Sequence, residues 1–362
     1  MTMKIATILG ARPQFIKAAA LSRVIRKNPQ FKEIIIHTGQ HYDSNMSDVF
    51  FEQMQIPEPD HFLQISSKFH GEMTGRMIEA IEKVLLTDKP DVVLVYGDTN
   101  STLAGAIAAK KLHMKIAHVE AGLRSFNMAM PEEINRIVAD RISDFLFCPG
   151  KQAVDNLTKE GFLNFDSGVF EVGDIMKDVA YFYSPLERQP SFHVPEKFVL
   201  STIHRAENTD DPDRLRSILE ALNEISVDLP IVLPLHPRTK GRLSAMDVRL
   251  SPSVILVEPV GYLEMVYLLK RCSIVITDSG GLQKEAYFFD RPCITRRDET
   301  EWSELVTEGY NKVVGVDADR IIAAKNDFVS KKIAFRKDLY GEGKTAEKIV
   351  EILYESLNGK SI

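Results

Sequence analysis

The feature that most narrows what this chain can fold into is a rhythm. Short runs of β-branched and apolar residues are each followed by a longer amphipathic stretch, and the pattern recurs through both halves of the sequence. In the first half the runs are Ile5–Leu9, Ile34–Thr38, Val92–Tyr96, Ile116–Val119, Phe145–Cys148 and Phe170–Val172. Between them lie helical patterns such as Gly71–Leu86, with Met73, Met77, Ile81 and Val84 on one face. The second half repeats this with Phe198–Ile203, Ile231–Leu235, Val254–Val257 and Ile274–Thr277. These alternate with helices over Pro212–Ser226, Leu263–Lys270 and Leu282–Phe289. Strand–helix alternation predicts parallel sheets covered by helices on both faces. A length of 362 residues exceeds one ordinary core. Tyr183–Pro195 carries three prolines and no apolar periodicity, as a linker region does. The expectation is an α/β chain of two Rossmann-like domains, residues 1–172 and 173–344, with a final amphipathic helix within 345–362 packing back on the first.

Charge and cysteine usage exclude several classes. A net charge of −6 speaks against a general nucleic-acid or membrane-surface binder, though not against a local basic pocket. Cys148, Cys272 and Cys293 are far apart and sit in apolar runs, as free buried thiols do in a reducing cytoplasm. No CxxC spacing marks a metal site, and no run of eighteen apolar residues marks a membrane span. The start MTMKIATILGARP reads as a strand entering a glycine turn rather than a signal peptide. A cytoplasmic protein without metal or other cofactor is expected.

In parallel sheets, ligands bind at loops leaving the carboxyl ends of strands, and polar clusters fall at those places. Gly10-Ala11-Arg12-Pro13 follows the first strand, with Lys17 one turn on, where cations and a helix N-terminus suit an anion. The same residues also suit a plain strand-to-helix turn, and a GxGxxG fingerprint for NAD is absent. His37-Thr38-Gly39-Gln40-His41 offers paired histidines but no carboxylate or cysteine to complete a metal set, so polar lining is the preferred reading. Gly97-Asp98-Thr99 presents Asp98 after an apolar strand; Asp98 caps a helix or, if Asn100 or Ser101 caps it, is free for chemistry. Glu120 ends a strand in His118-Val119-Glu120-Ala121-Gly122-Leu123-Arg124, where a buried charge needs a partner such as Arg124. Pro131-Glu132-Glu133-Ile134-Asn135-Arg136 opens a helix whose acids complement the dipole or enter the site.

Further on, His204 in Thr202-Ile203-His204-Arg205-Ala206-Glu207-Asn208 suits acid/base work. Leu235-His236-Pro237-Arg238 places a second cationic pair at a strand end. Thr277-Asp278-Ser279-Gly280-Gly281 leads into a helix. Its turn N–H groups suit a diphosphate, and Glu285 one turn in suits vicinal hydroxyls.

The ordered set GARPQFIK, HTGQH, YGDTNSTLAGA, HVEAGLRS, PEEINR, STIHRAEN, LHPR and TDSGGLQKEA covers nearly the whole chain. It resembles the non-hydrolysing UDP-N-acetylglucosamine 2-epimerase family. The resemblance implies the two-domain GT-B architecture with the active site in the interdomain cleft, no cofactor, a UDP-sugar ligand and a homodimer. It implies that Asp98, Glu120, Glu132 and His204 are catalytic. It implies that Arg12, Lys17, Arg136, His236, Arg238, Ser279, Gly280, Gly281 and Glu285 contact the UDP-sugar. The interval Ser125–Met130 is shorter than the commoner family loop, and Arg297-Asp298-Glu299-Thr300-Glu301-Trp302-Ser303-Glu304 departs from the commoner RDTTERPE. Both departures resemble the branch acting on UDP-2,3-diacetamido-2,3-dideoxy-glucuronate.

The chemistry is consistent with that resemblance. No carbonyl is attached to C2 of an acetamido sugar, so its proton is only weakly acidic. One way to invert C2 without oxidation is to expel UDP, leaving a glycal, and re-add it with protonation from the other face. That needs a base, an acid and a cradle for departing UDP. Interconversion of UDP-GlcNAc and UDP-ManNAc for surface polysaccharides is the first expected function. The diacetamido uronate is the alternative substrate, and a GT-B glycosyltransferase, which needs an acceptor, the alternative of another class.

Overall fold

The computed structural model describes residues 2–40, 58–67, 69–235, 237–244, 246 and 248–359. The chain forms two compact units, Met1–Val179 with Asp338–Ile362, and Ala180–Lys337.

The first unit carries seven strands: β1 (Met3–Leu9), β2 (Phe31–His37), β3 (His61–Phe62), β4 (Val92–Tyr96), β5 (Lys115–Val119), β6 (Phe145–Cys148) and β7 (Gly168–Glu171). They pair in parallel in the order β3-β2-β1-β4-β5-β6-β7. The second unit carries β8 (Val199–Thr202), β9 (Ile231–Pro234), β10 (Val254–Val257), β11 (Ile274–Thr277), β12 (Cys293–Thr295) and β13 (Asn311–Val313). Their order is β10-β9-β8-β11-β12-β13, again all parallel. In each sheet the order of the strands along the chain therefore reverses once, between β1 and β4 and between β8 and β11. These reversals are the switch points at which loops diverge and leave a crevice.

Burial on both faces explains why the strands read as continuous apolar runs: all five residues of β4 are buried. The helix Asn100–Lys111 approaches the first sheet closely because its inner face is Ala and Gly. A Cβ on Gly105 would lie 2.7 Å from Ile8 Cδ1. In the second unit the helices Pro212–Asp228 and Ala318–Ser330 bury Leu215, Leu219, Leu222, Ile321 and Phe328 in one core over the sheet.

The unit limits differ from the cuts expected after residues 172 and 344. Residues following Val172 are tied to the chain near 340: Asp174 N donates to Tyr340 O at 3.1 Å. Lys177 Nζ donates to Gly341 O at 2.6 Å, and Ala346 N donates to the Asp178 carboxylate at 2.8 Å. The helix Thr345–Leu357 then packs on the helix Arg12–Lys27 of the same unit. Strands β3, β12 and β13 lie outside the expected set. Two or three residues are too few for periodicity, and β13 reads Asn-Lys-Val. Among the described residues no helix is long and apolar enough to cross a membrane.

Candidate active site

In the first unit, the switch point between β1 and β4 gathers the N-terminal motifs. Gly10 ends β1 beneath Thr38 and Ser101, whose hydroxyls share a hydrogen bond at 2.8 Å. A Cβ on Gly10 would come within 2.2 Å of Thr38 Oγ1 and 2.0 Å of Ser101 Oγ, so only glycine fits. Gln14 fixes this turn by accepting from Gly10 N at 2.8 Å and donating to Tyr96 O at 2.9 Å. The helix that follows carries Lys17, whose ammonium pairs with the Glu120 carboxylate. Both side chains are nearly buried, at 13% and 7% exposure, so this pair is shielded from solvent. Arg124, which the sequence offers as a partner for Glu120, does not pair with it. It turns inward to Asp140 (2.7 Å) and Glu160 (2.7 Å). Glu120 sits at φ +71°, left-handed backbone that is costly for a residue with a Cβ.

Asp98 stands on the next strand end. Its side chain is 31% exposed and takes Arg136 Nη2 at 2.5 Å. The helix after it is capped by Thr99, which accepts from Thr102 N, rather than by Asn100 or Ser101. Asp98 is thus not used as the cap. Arg136 also donates to Glu133 at 2.8 Å. Glu133 is buried and accepts Ser125 N (2.9 Å), Ser125 Oγ (3.0 Å) and Phe126 N (2.9 Å). Burial alone raises its pKa, but the Ser125 and Arg136 contacts outweigh it and the net shift is down. Glu132, its neighbour, is exposed in the first turn of Pro131–Ile142. The structure therefore joins Asp98, Arg136 and Glu133 in one cluster and Lys17 with Glu120 in another, and it leaves Glu132 at the surface. The sequence does not single out Glu133, because successive residues on a helix point about 100° apart and the local pattern does not say which faces inward.

In the second unit the switch point between β8 and β11 does the same for the later motifs. Asp278 is fully buried at the end of β11. It accepts His204 N, Arg205 N and Asn208 Nδ2, each at 3.2 Å, and lies 3.1 Å from His204 Nδ1. Burial opposes its ionisation, yet the contacts from His204 and the charge of Arg296 hold its carboxyl well below the usual range. His204 is 44% exposed, with the Nδ1 edge held inward. Asp278 carries the same signal as Asp98, an acid soon after an apolar strand, and the turn motif Thr277-Asp278-Ser279-Gly280-Gly281 hides it.

Ser279 caps the helix Gly280–Phe288, accepting from Leu282 N. A Cβ on Gly280 would lie 2.7 Å from Glu301 Oε1, whereas one on Gly281 meets nothing within 4 Å. Glu301 is paired with Arg297 at 2.7 Å. Trp302 Nε1 donates to Gly280 O at 3.0 Å, and Lys284 Nζ lies 3.9 Å over the indole ring. The segment after β12, which departs from the commoner family sequence, thus forms the underside of the Ser-Gly-Gly turn. Glu285 is buried one turn in; burial and its carboxylate together push the Tyr262 phenol well above its usual value. His236 and His41 lie outside the described residues, as do the side chains of Arg12 and Arg238. Among the described residues no group of three or more His, Cys, Asp and Glu is placed to hold a metal ion.

Two doubly wound units in one chain, each with its polar residues at the switch point, define the GT-B class of α/β protein. Over residues 23–354 the sequence matches the family described as UDP-N-acetylglucosamine 2-epimerase. The chain belongs to that family and is an isomerase, a sugar-nucleotide epimerase. It is 56% identical to a UDP-2,3-diacetamido-2,3-dideoxy-D-glucuronate 2-epimerase of Pseudomonas aeruginosa, covering 97% of this chain and 99% of the relative. It is 43% identical to a UDP-N-acetylglucosamine 2-epimerase of Methanocaldococcus jannaschii, again over 97% and 99%. The crystal structure of the M. jannaschii enzyme in complex with UDP-GlcNAc and UDP superposes with a TM-score of 0.88, over 97% of this chain and 99% of that one.

Proposed function

We propose that this chain inverts C2 of a UDP-linked 2-acetamido sugar by eliminating UDP and re-adding it, with UDP-2,3-diacetamido-2,3-dideoxy-glucuronate as substrate. One observation carries the chemistry: Asp98 and Glu120 follow the adjacent strands β4 and β5, beside the switch point between β1 and β4, each held by its own cation, Arg136 and Lys17. Two carboxylates of different exposure are the minimum for removing a proton from one face and returning one to the other. The exposed Glu132 is a third acid available to substrate. In the second unit the Ser279-Gly280-Gly281 turn, at a helix N-terminus, holds the diphosphate, and Glu285 takes the ribose hydroxyls. His204 meets the departing charge, and Arg12, His236 and Arg238 add contacts to the nucleotide sugar.

The choice of sugar is supported by the 56% identity to the Pseudomonas enzyme, and by the short Ser125–Met130 loop and the Arg297–Glu304 segment. UDP-GlcNAc is the second reading, supported by the M. jannaschii relative. The test is incubation with each UDP-sugar alone, followed by NMR. The uronate is expected to give its C2 epimer with no acceptor present. Inversion of UDP-GlcNAc alone would establish the second reading. Release of free sugar would indicate a hydrolysing enzyme, and no turnover without an acceptor a glycosyltransferase.

A further inference from the structure

Beneath the two carboxylates lies a buried cluster to which nothing so far gives a part in the reaction. His118 on β5 is fully buried. Its Nδ1 lies 2.7 Å from Asp140 Oδ1 and its Nε2 lies 2.7 Å from Gly97 O. Asp140, also fully buried, accepts Arg124 Nη1 at 2.7 Å and Gly122 N at 3.1 Å through its other oxygen. Arg124 passes the link on to Glu160 at 2.7 and 2.8 Å. Asp140 is thus shared between the His118 ring and Arg124 in the interior, while Glu160, with its side chain 34% exposed, holds the outer edge of the guanidinium.

The geometry dictates where the hydrogens are. A carbonyl oxygen only accepts, so Nε2 must donate to Gly97. Asp140 receives a guanidinium and a backbone N–H and is an acceptor-only carboxylate, so Nδ1 must donate as well. His118 is then a doubly protonated imidazolium with both hydrogens used.

Its Nε2 hydrogen lands on a critical atom. Gly97 has φ +61° and joins β4 to Asp98. A Cβ there would lie 3.3 Å from Lys17 Nζ and 3.4 Å from Glu120 Oε2, so this peptide forms the floor of the Lys17–Glu120 pair. Gly97 N is bound to Val119 O at 3.0 Å, one residue before Glu120. Rotation of the Gly97 peptide would therefore move Asp98 and remove the floor under Glu120 together.

We propose that His118 is a positioning residue for the epimerisation, a buried imidazolium, oriented by Asp140, that clamps the Gly97 carbonyl and so sets Asp98 against the Lys17–Glu120 pair. This rests on the reading of Asp98 and Glu120 as the proton-transfer groups. The clamp acts at a single atom, and that makes it separable from a general role in stability. A glutamine places its amide nitrogen near the position of Nε2, and an asparagine places its own near Nδ1. H118Q keeps a donor for Gly97 and loses Asp140, whereas H118N keeps a partner for Asp140 and loses the clamp.

Both variants are assayed on the UDP-sugar that the wild-type protein turns over, with thermal melting followed by circular dichroism as the check on folding of the unit that carries His118. H118N is expected to lose roughly 100-fold or more in kcat at little changed KM, the scale of a misplaced catalytic group, and H118Q about tenfold or less. Equal kcat values for the two variants, or losses that merely follow the folded fraction, would overturn the clamp. Should either variant fail to fold, the wild-type protein still decides. With ¹⁵N-labelled histidine, NMR at neutral pH should show two slowly exchanging ring N–H protons for His118, and a bare ring nitrogen overturns the proposal. D98N serves as the control for the underlying reading. Full activity in D98N would remove Asp98 from the reaction without altering the hydrogen count on His118.

Discussion

Gly280→Ala puts the second unit's turn to a quantitative test. The added methyl would lie 2.7 Å from Glu301 Oε1, about 0.7 Å inside ordinary contact at 3.4 Å. Glu301 has little freedom to retreat. It is nearly buried and bonded to Arg297 at 2.7 Å, and stretching that bond by the same amount takes it out of good hydrogen-bond range. Gly280 cannot rise instead without straining the bond from Trp302 Nε1 to its carbonyl. Overpacking of this kind costs about 1–3 kcal/mol. If the free turn relaxes and UDP must restore it, that strain is read as affinity, and UDP binding weakens by about 5- to 160-fold. Trp302 is the only tryptophan in the chain and touches the turn, so its fluorescence reports binding directly, with calorimetry as a second measure. Glu301→Asp in the same chain withdraws the carboxylate by one methylene and should restore part of the affinity. Unchanged UDP affinity in Gly280→Ala would mean that the nucleotide does not use this turn, and the assignment of Ser279, Gly280 and Gly281 would fall.

Asp98→Asn and Glu120→Gln keep an acceptor for Arg136 and Lys17, so both should fold and bind UDP while losing ~10²–10⁴-fold in kcat; near-normal turnover in both removes them from the mechanism. Reaction in D₂O should place deuterium at C2 of recovered substrate and product, whereas full retention of the original hydrogen over many turnovers would exclude exchange with a solvent-accessible acid. Burial pushes the His37 imidazole down from 6.5 to about 4, and its Nδ1 accepts Gly39 N at 2.9 Å. The unfolded chain therefore binds more protons below pH 6.5, and stability is lost as pH falls from about 6.5 toward 4. Between pH 7 and 5 this amounts to about 1–2 kcal/mol, a few degrees in melting temperature. His37→Gln should flatten that slope, and an unaltered slope would show that His37 does not titrate on unfolding. Asp178, raised by burial to about 6, acts in the opposite sense, its contribution falling as pH rises from 3.8 through 6.

Much of this protein was legible before folding because its determinants are local. Val92–Tyr96, Phe145–Cys148, Val254–Val257 and Ile274–Thr277 coincide with strands residue for residue. A strand buried on both faces has no choice but to be apolar throughout, and the turn that follows it must carry glycine or a capping residue. The polar clusters after β1, β4, β5, β8 and β11 were visible for the same reason. What the linear pattern does not contain is pairing across distance. Lys17 and Glu120 are 103 residues apart, and nothing local prefers Lys17 to Arg124 as the partner of Glu120. That choice follows from the parallel order β1-β4-β5, which brings the carboxyl ends of β1 and β5 to one edge of the sheet with only β4 between them, within reach of a lysine side chain. The inward turn of Glu133 rather than Glu132 is decided by which helix face meets Ser125. The burial of His118 and Asp140 is decided by the packing of Pro131–Ile142 against β5. Strand β13 exists only because β12 offers it an edge. Periodicity records which residues leave water, but the partner each buried charge meets is set by strand order and helix rotation, which only the assembled sheet determines.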